Sequence, residues 1–461
     1  MTLTRRRLAC LGAGTLLVAG TARAASRNAD LTLILMGDLH SGYAWSSRLL
    51  AAVRQAASQA HGEVRIVVNG DVFEHNNPVS RRNDGRIDLA LIRAIADIAP
   101  TIVTIGNHDS DLFDPREFAT RITQTGATVL TDIVDPRDGH PYGPASMHLT
   151  VRGRTVAFAA LGTPVLSLYP PQYRAAYGVP DPETYAASRL PALLGDADLP
   201  VALVHAGFLA DRTVLPHLSG AFLLHGSHDH LRFSERLGRG LHLHSGAWAN
   251  AFQVVAVRFQ ASGPFMSVQD VVLNDASPQD PVMQRLVADQ RQQNLQPADR
   301  AILGHLPHAM SLDASVLRAA DWARVAADAE VGLLSHTTFG DGLPAGPVSA
   351  DDLASFMRFD GGISVGEIPR ARMAGVIARS NQFDGSTPYA KRTGDYLYAT
   401  ALPASGARDT VKVAINSYAV STPANRIAML GWDAQGFAPA SSAAGSKLTL
   451  GHVITDGLAA A

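Results

Sequence analysis

The sequence predicts an α/β protein of two domains. Three observations carry that prediction. Apolar, β-branched runs alternate with helix-length amphipathic segments, a polar stretch at residues 274–300 interrupts the alternation, and 461 residues exceed what one ordinary core organises. Hydrophobic residues make up 46% of the chain and charged residues 17%, a globular balance rather than a disordered one. The formal net charge of −2 gives no footprint for a nucleic-acid polymer.

The elements follow in chain order. Residues 31–36 read as a buried strand, 46–60 as a helix, 64–68 as a strand, 87–99 as a helix and 101–105 as a third strand. Further strand-like runs lie at 155–161, 201–204, 222–224 and 253–259. Residues 274–300 read as a linker whose middle, 282–294, is helical. The first domain then spans residues 28–273 and the second 301–455.

Ahead of these elements stands "MTLTRRRLACLGAGTLLVAGTARAAS". Arg5, Arg6 and Arg7 precede an apolar segment over residues 8–19, and Ala22-Arg23-Ala24 supplies small residues for cleavage. Residues 1–24 read as a secretory signal, and "TRRRLACLG" resembles a twin-arginine export signal, which implies a periplasmic mature chain. The apolar segment falls short of the roughly 20 residues of a membrane span, so no membrane partner is expected after cleavage. The only cysteine, Cys10, lies in this segment. The mature chain is therefore expected to have no disulfide, no thiolate metal site and no cysteine nucleophile.

In open α/β sheets, function gathers at the carboxyl ends of strands. Those ends are unusually polar here. "ILMGDLHSG" places Asp38 and His40 after the first strand, and "IVVNGDVFEHN" places Asp71 after the second. "IVTIGNHDSD" places Asn107, His108, Asp109 and Asp111 after the third, "VALVHAGF" places His205 after another, and "FLLHGSHDHLRF" places His228 and His230 after the next. Each alone has a plain explanation as a turn, a cap or a core histidine. Five such sites in order do not. Asp38, His40, Asp71, Asn107, His205, His228 and His230 can ligate two divalent ions if one carboxylate bridges. Mixed carboxylate, imidazole and amide donors suit Mn, Fe, Zn or Co. His225, His242 and His244 lie nearby and read as structural.

The ordered set Asp-x-His, Gly-Asp, Gly-Asn-His-Asp, His, Gly-x-His-x-His resembles the calcineurin-like metallophosphoesterases. "DLHSG", "GNHDSD", "SGAWANAFQVVAV" and a separate C-terminal region narrow the resemblance to the 5′-nucleotidase family. The resemblance implies a four-layer α/β/β/α catalytic sandwich followed by a smaller α/β domain. It implies that Asp38, His40 and His230 hold one metal, that Asn107, His205 and His228 hold the other, and that Asp71 bridges. His108 would then lie beside the scissile phosphoryl group with Asp111 as its orienting partner, while an activated water attacks phosphorus in line. The implied partner is a small phosphorylated substrate.

In that family the second domain binds the nucleoside through an arginine and two aromatic rings. Here "LLSHTTFGDGLPAGPVSADDL" carries His336-Thr337-Thr338 where the glycine run is expected, and Gly340 where the arginine is expected. Phe359 in "FMRFDGGI", and Asn416 and Tyr418 in "VKVAINSYAVSTPANR", match the remaining substrate positions. The expected function is an exported phosphoester hydrolase of nucleotide-like substrates. Two alternatives stand beside it: hydrolysis of a sulfur group on a carrier protein, and a metal-binding module without turnover.

Overall fold

The structure is a computed structural model that describes residues 28–403, 408–442 and 445–461; the export signal read at residues 1–24, with Cys10, lies outside the described residues. The first domain contains β1 (Leu31–Gly37), β2 (Glu63–Asn69), β3 (Thr101–Thr104), β4 (Thr128–Leu130), β5 (Ser146–Val151), β6 (Arg154–Gly162), β7 (Leu199–His205), β8 (Leu223–Gly226), β9 (Arg232–Leu237), β10 (Gly240–Ser245), β11 (Ala251–Gln260) and β12 (Gly263–Val272). They form two six-stranded sheets, ordered β12-β11-β1-β2-β3-β4 and β5-β6-β7-β8-β10-β9. β1 to β4 run parallel, as do β6, β7, β8 and β10, while the remaining strands close the edges antiparallel.

Side-chain alternation along these strands builds the layers. Leu31, Leu33 and Leu35 of β1 face inward and meet Phe158, Val201, Leu203 and Leu243 of the second sheet. Ile34 and Met36 face the other way, onto Leu49, Val53, Leu91, Ile95 and Phe118 of the helices Ser46–Gln59, Arg86–Ala96 and Pro115–Gln124. On the far side Ala157, Ala159, Val204 and Leu224 meet Ala186, Leu190 and Val214 of a second helical layer. The result is a four-layer α/β/β/α sandwich, with apolar faces buried on both sides of each sheet.

The helix Pro281–Asn294, capped by the Asp280 carboxylate, is packed rather than free-standing: Met283 is buried against the first domain. The ion pair of Arg82 and Asp299 lies beside it, and Arg291 pairs with Asp351 of the second domain. The second domain contains β13 (Ile302–Leu306), β14 (Val331–Ser335), β15 (Gly346–Ser349), β16 (Ile363–Pro369), β17 (Leu397–Ala399), β18 (Thr410–Asn416) and β19 (Ala438–Pro439). Its sheet, ordered β17-β14-β18-β16-β19, is covered by the helices Leu312–Ala326 and Leu450–Ala459 on one side and Arg370–Arg379 and Pro423–Leu430 on the other.

Candidate metal centre

The carboxyl ends of β1, β2, β3, β7 and β8 converge on one rim. The Asn69 amide at the end of β2 donates across the sheet interface to the carbonyls of Val204 (3.3 Å) and His225 (2.8 Å), tying the two sheets together at that edge. Beyond the strands the backbone turns sharply. Asp38 (φ 51°), His40 (44°), Asp71 (53°), His228 (84°) and His230 (55°) all occupy the left-handed region. Non-glycine residues rarely adopt it, and such strain concentrates at functional sites. Asp109 secures the loops: its carboxylate accepts from the backbone N–H of Gly106 (2.7 Å), Asp71 (3.0 Å) and Val72 (2.7 Å). Gly106 is needed because any Cβ there would collide with the Asp71 carboxylate.

Beside a third group of candidate ligands, Glu74 with His108 and Asp111, two clusters form on this rim among the described residues: Asp38 with His40 and His230, and Asp71 with His205 and His228. Asp71 lies between them, its Oδ2 3.1 Å from His205 Nε2 and 3.6 Å from His40 Nε2. His40 Nε2 and His230 Nε2 face each other at 3.0 Å, a separation that a shared proton or a common cation satisfies. Asp38 accepts the backbone N–H of His228 with both oxygens at 3.0 Å, joining the two clusters. His205 Nδ1 lies 2.8 Å from the Asn69 carbonyl, which fixes the ring with Nε2 turned to the cluster.

The residues fit divalent cations. Asn107 Oδ1 is buried without a hydrogen-bond partner, the mark of a donor that awaits an ion. Burial lowers the His40 and His230 pKa values, keeping both imidazoles neutral as ligands must be. Burial pushes His205 down as well, but Asp71 and Asp38 outweigh it and hold the ring at about 9. The same negative field attracts a metal ion, which would displace that proton.

His108 stands at the edge of the cluster. Its Nδ1 lies 3.0 Å from Asp111 Oδ2, and its backbone N–H donates to Asp71 Oδ1 at 2.7 Å. Burial favours the neutral ring, but Asp111 overrides it, followed by Asp71 and Glu74, and the pKa lies well above the usual histidine value.

The rim opens into a cavity of about 340 Å³ between the domains. Asp71, Asn107, His108, His228 and His230 line one wall, and Thr337, Phe359, Asp360, Asp395, Asn416 and Tyr418 line the other. Phe359 reaches the first-domain wall, its ring 5.0 Å from that of His108. Tyr418 is 46% exposed, a free aromatic edge. Asn416 is buried, and its side-chain oxygen accepts from the Ser335 N–H at 3.0 Å. His225, His242 and His244 are fully buried behind the rim, where His242 and His244 both bond Asp211 Oδ2, at 2.9 and 2.6 Å.

Three residues of the site escaped sequence reasoning. Glu74 is fully buried, with Oε2 3.4 Å from His40 Nδ1; an acid three positions after Asp71 was its only signal. Trp248 packs its ring 4.7 Å from His40 and 4.8 Å from His230. Arg358, 4% exposed, reaches across from the second domain to the carbonyls of His40 and Ser41. Gly340 cannot give way to a larger side chain, because a Cβ there would lie 2.8 Å from Arg358 Cγ and 2.9 Å from the Ser355 carbonyl.

Residues 31–143 match the family of calcineurin-like phosphoesterases. No curated protein matches the sequence. Among solved structures, a 5′-nucleotidase precursor from Thermus thermophilus aligns at 15% identity and a TM-score of 0.61, covering 93% of this chain and 96% of that one. The sulfate thiohydrolase SoxB from the same organism aligns at 13% identity and a TM-score of 0.63, covering 94% of each chain. A 5′-nucleotidase from Candida albicans aligns at 14% identity and a TM-score of 0.60, covering 94% of this chain and 98% of that one. Residues 31–143 therefore carry the sequence match to the calcineurin-like phosphoesterases, within a two-domain fold shared with these 5′-nucleotidases and with SoxB.

Proposed function

We propose that the chain is an exported hydrolase of a small, nucleotide-like phosphate ester, acting at a dinuclear centre. Asp38, His40 and His230 would hold one ion, Asn107, His205 and His228 would hold the other, and Asp71 would be shared by both. Manganese, zinc, iron or cobalt suits these donors. The observation that carries the reading is the His108–Asp111 pair, 3.0 Å apart, at the lip of a cavity that begins at the ligand cluster. A structural metal site has no use for a charged imidazole beside it.

Two divalent ions would supply charge neutralisation to the phosphoryl oxygens and acidify a bound water. The chain's own residues do the rest. Asp111 holds the His108 tautomer and its charge, so the ring offers a proton to the leaving oxygen and a positive charge to the transferring group. Phe359 packs its ring beside His108, 5.0 Å away. Trp248 packs against His40 and His230 and fixes their ring planes. Tyr418 and Asn416 stand across the cavity where the remainder of the ester would lie. Export rests on the arginines at positions 5–7, with the twin-arginine route favoured because the protein would fold around its ions first.

A second reading is hydrolysis of a sulfur group on a carrier protein. The glycine at position 340, which replaces the arginine expected of a nucleotide binder, favours it.

The test is turnover of AMP, bis(p-nitrophenyl) phosphate and a thiosulfonate-capped peptide by manganese-loaded protein and its His108→Ala variant. Hydrolysis of a phosphate ester, reduced about 10²–10⁴-fold in the variant, is expected. Turnover of the sulfur peptide alone would replace this reading with the second.

A further inference from the structure

The wall of the cavity opposite the ligand cluster has an unusual charge. Asp360 and Asp395 line it, with Asp229 at its edge, and among the described residues no lysine or arginine lines it. Nearby cations are committed elsewhere. Arg358 donates to the His40 and Ser41 carbonyls and stacks 5.1 Å from the centre of the Trp248 ring. Its stem fills the space beside Gly340, so an arginine at 340 could not coexist with it. Arg392 lies over Phe233, 4.9 Å from the ring centre, away from the cavity lining. His336 faces Asp395 at 2.6 Å and the Asp229 carbonyl at 2.7 Å, so both ring nitrogens are engaged and neither is offered to a ligand.

The remaining lining groups are Thr337, Thr338, Asn416 and the rings of Phe359 and Tyr418. Asp360 Oδ1 accepts from Gly361 (2.7 Å) and Gly451 (2.9 Å), which fixes the carboxylate on an exposed part of the wall. A second phosphate or a carboxylate lodged here would meet Asp360, which has no cationic partner, and Asp395, whose one cationic neighbour, His336, is already engaged, and it would find no lysine or arginine. An alkylammonium would meet carboxylates and aromatic faces, a favourable setting for a cation. Specificity of this kind comes from repulsion of the wrong ligand as much as attraction of the right one.

Resting on the phosphoesterase reading above, we propose that the site takes a monoester with a single anionic group, the phosphoryl at the cluster, and an uncharged or cationic remainder. Nucleoside monophosphates and amino-alcohol phosphates belong to that class. Nucleoside diphosphates, sugar bisphosphates and phosphorylated carboxylic acids do not.

Three phenyl phosphates of near-equal size test this, with a para methyl, aminomethyl or carboxyl group. Their affinities for the manganese-loaded full chain are measured calorimetrically in the His108→Ala background, which suppresses turnover. The aminomethyl and methyl compounds are expected to bind at least tenfold more tightly than the carboxyl compound. Asp360→Asn, which keeps the oxygen that accepts from Gly361 and Gly451, is expected to shrink that ratio at least threefold. Equal or tighter binding of the carboxyl compound would overturn the proposal, as would a ratio untouched by Asp360→Asn. Turnover of the same compounds by the wild-type chain is scored separately. Its absence with the affinity order intact would remove the hydrolase reading and leave the charge preference standing.

Discussion

In the first domain, Asn107 Oδ1, His228 Nδ1 and His230 Nδ1 are buried without hydrogen-bond partners. In the second domain, the polar side chains on the same cavity are bonded within their own domain: Asp395 to Ser335 and Thr337, Asn416 to Ser335 and Thr338, Asp360 to Gly361 and Gly451. A buried polar group left unpaired costs about 1–3 kcal/mol. A fold tolerates several in one place where a ligand repays them. The first domain is built to receive ions, and its strained backbone at Asp38, His40, Asp71, His228 and His230 belongs to the same arrangement. The second domain's carboxylates and amide on the cavity are bonded without a ligand, and its Arg358 grips the first domain.

That grip is the place to break the comparison hardest. Arg358→Ala removes a charged donor from the His40 and Ser41 carbonyls and its stacking on Trp248. Hydrogen bonds from a charged donor contribute about 1.5–3 kcal/mol, so calorimetry is expected to show a melting temperature lower by several degrees. Turnover is expected to fall with it, because the loop holding His40 loses its brace. Unchanged stability and turnover would show that the second domain does not hold the site. Gly340→Ala probes the same contact more gently. Its Cβ would stand 2.8 Å from Arg358 Cγ, and crowding of this sort costs about 1–3 kcal/mol, read as a smaller drop in melting temperature.

Asp132 sharpens the comparison from another side. It is a buried carboxyl of the first domain outside both ligand clusters, with Oδ1 accepting from Gly162 at 3.0 Å and Oδ2 unpartnered. Burial, opposed by that hydrogen bond, pushes its pKa up to about 7. The folded state then keeps its proton where the unfolded chain, near 3.9, has lost it. Its contribution to stability is therefore present below about pH 4 and lost as pH rises toward about 7. Asp132→Asn removes that loss, so its stability relative to wild type is expected to rise between pH 4 and pH 8 in denaturant titrations. A pH-independent difference would show that Asp132 is ionised in the folded state.

Much of the first domain is legible in the sequence because its signals are local. Strands β1, β2, β3, β6 and β7 announce themselves as apolar runs, and the polar residues that follow are too costly at strand ends to be incidental. Edge strands β5, β9 and β12 are half polar and carry no such signal, since one face meets solvent. The expected linker proved to pack along the first domain through Met283, in a helix whose other positions are almost all partly or fully exposed and so look like a spacer. The second domain was least readable. Arg358 and His40 are separated by 318 positions, and nothing local marks an arginine that will be buried on distant carbonyls. Gly340 is conspicuous in sequence only as a missing arginine, and its cause is the stem of Arg358 packed against it.

The central claim is that Asp38, His40, Asp71, Asn107, His205, His228 and His230 are ligands and that His108 is not. Metal content per chain, measured by mass spectrometry on purified wild-type, Asp71→Asn and His108→Ala protein, tests it most directly. The account predicts two ions in the wild type, a marked loss in Asp71→Asn and two ions retained in His108→Ala. One ion or none in the wild type, or a His108→Ala variant as depleted as Asp71→Asn, would contradict it.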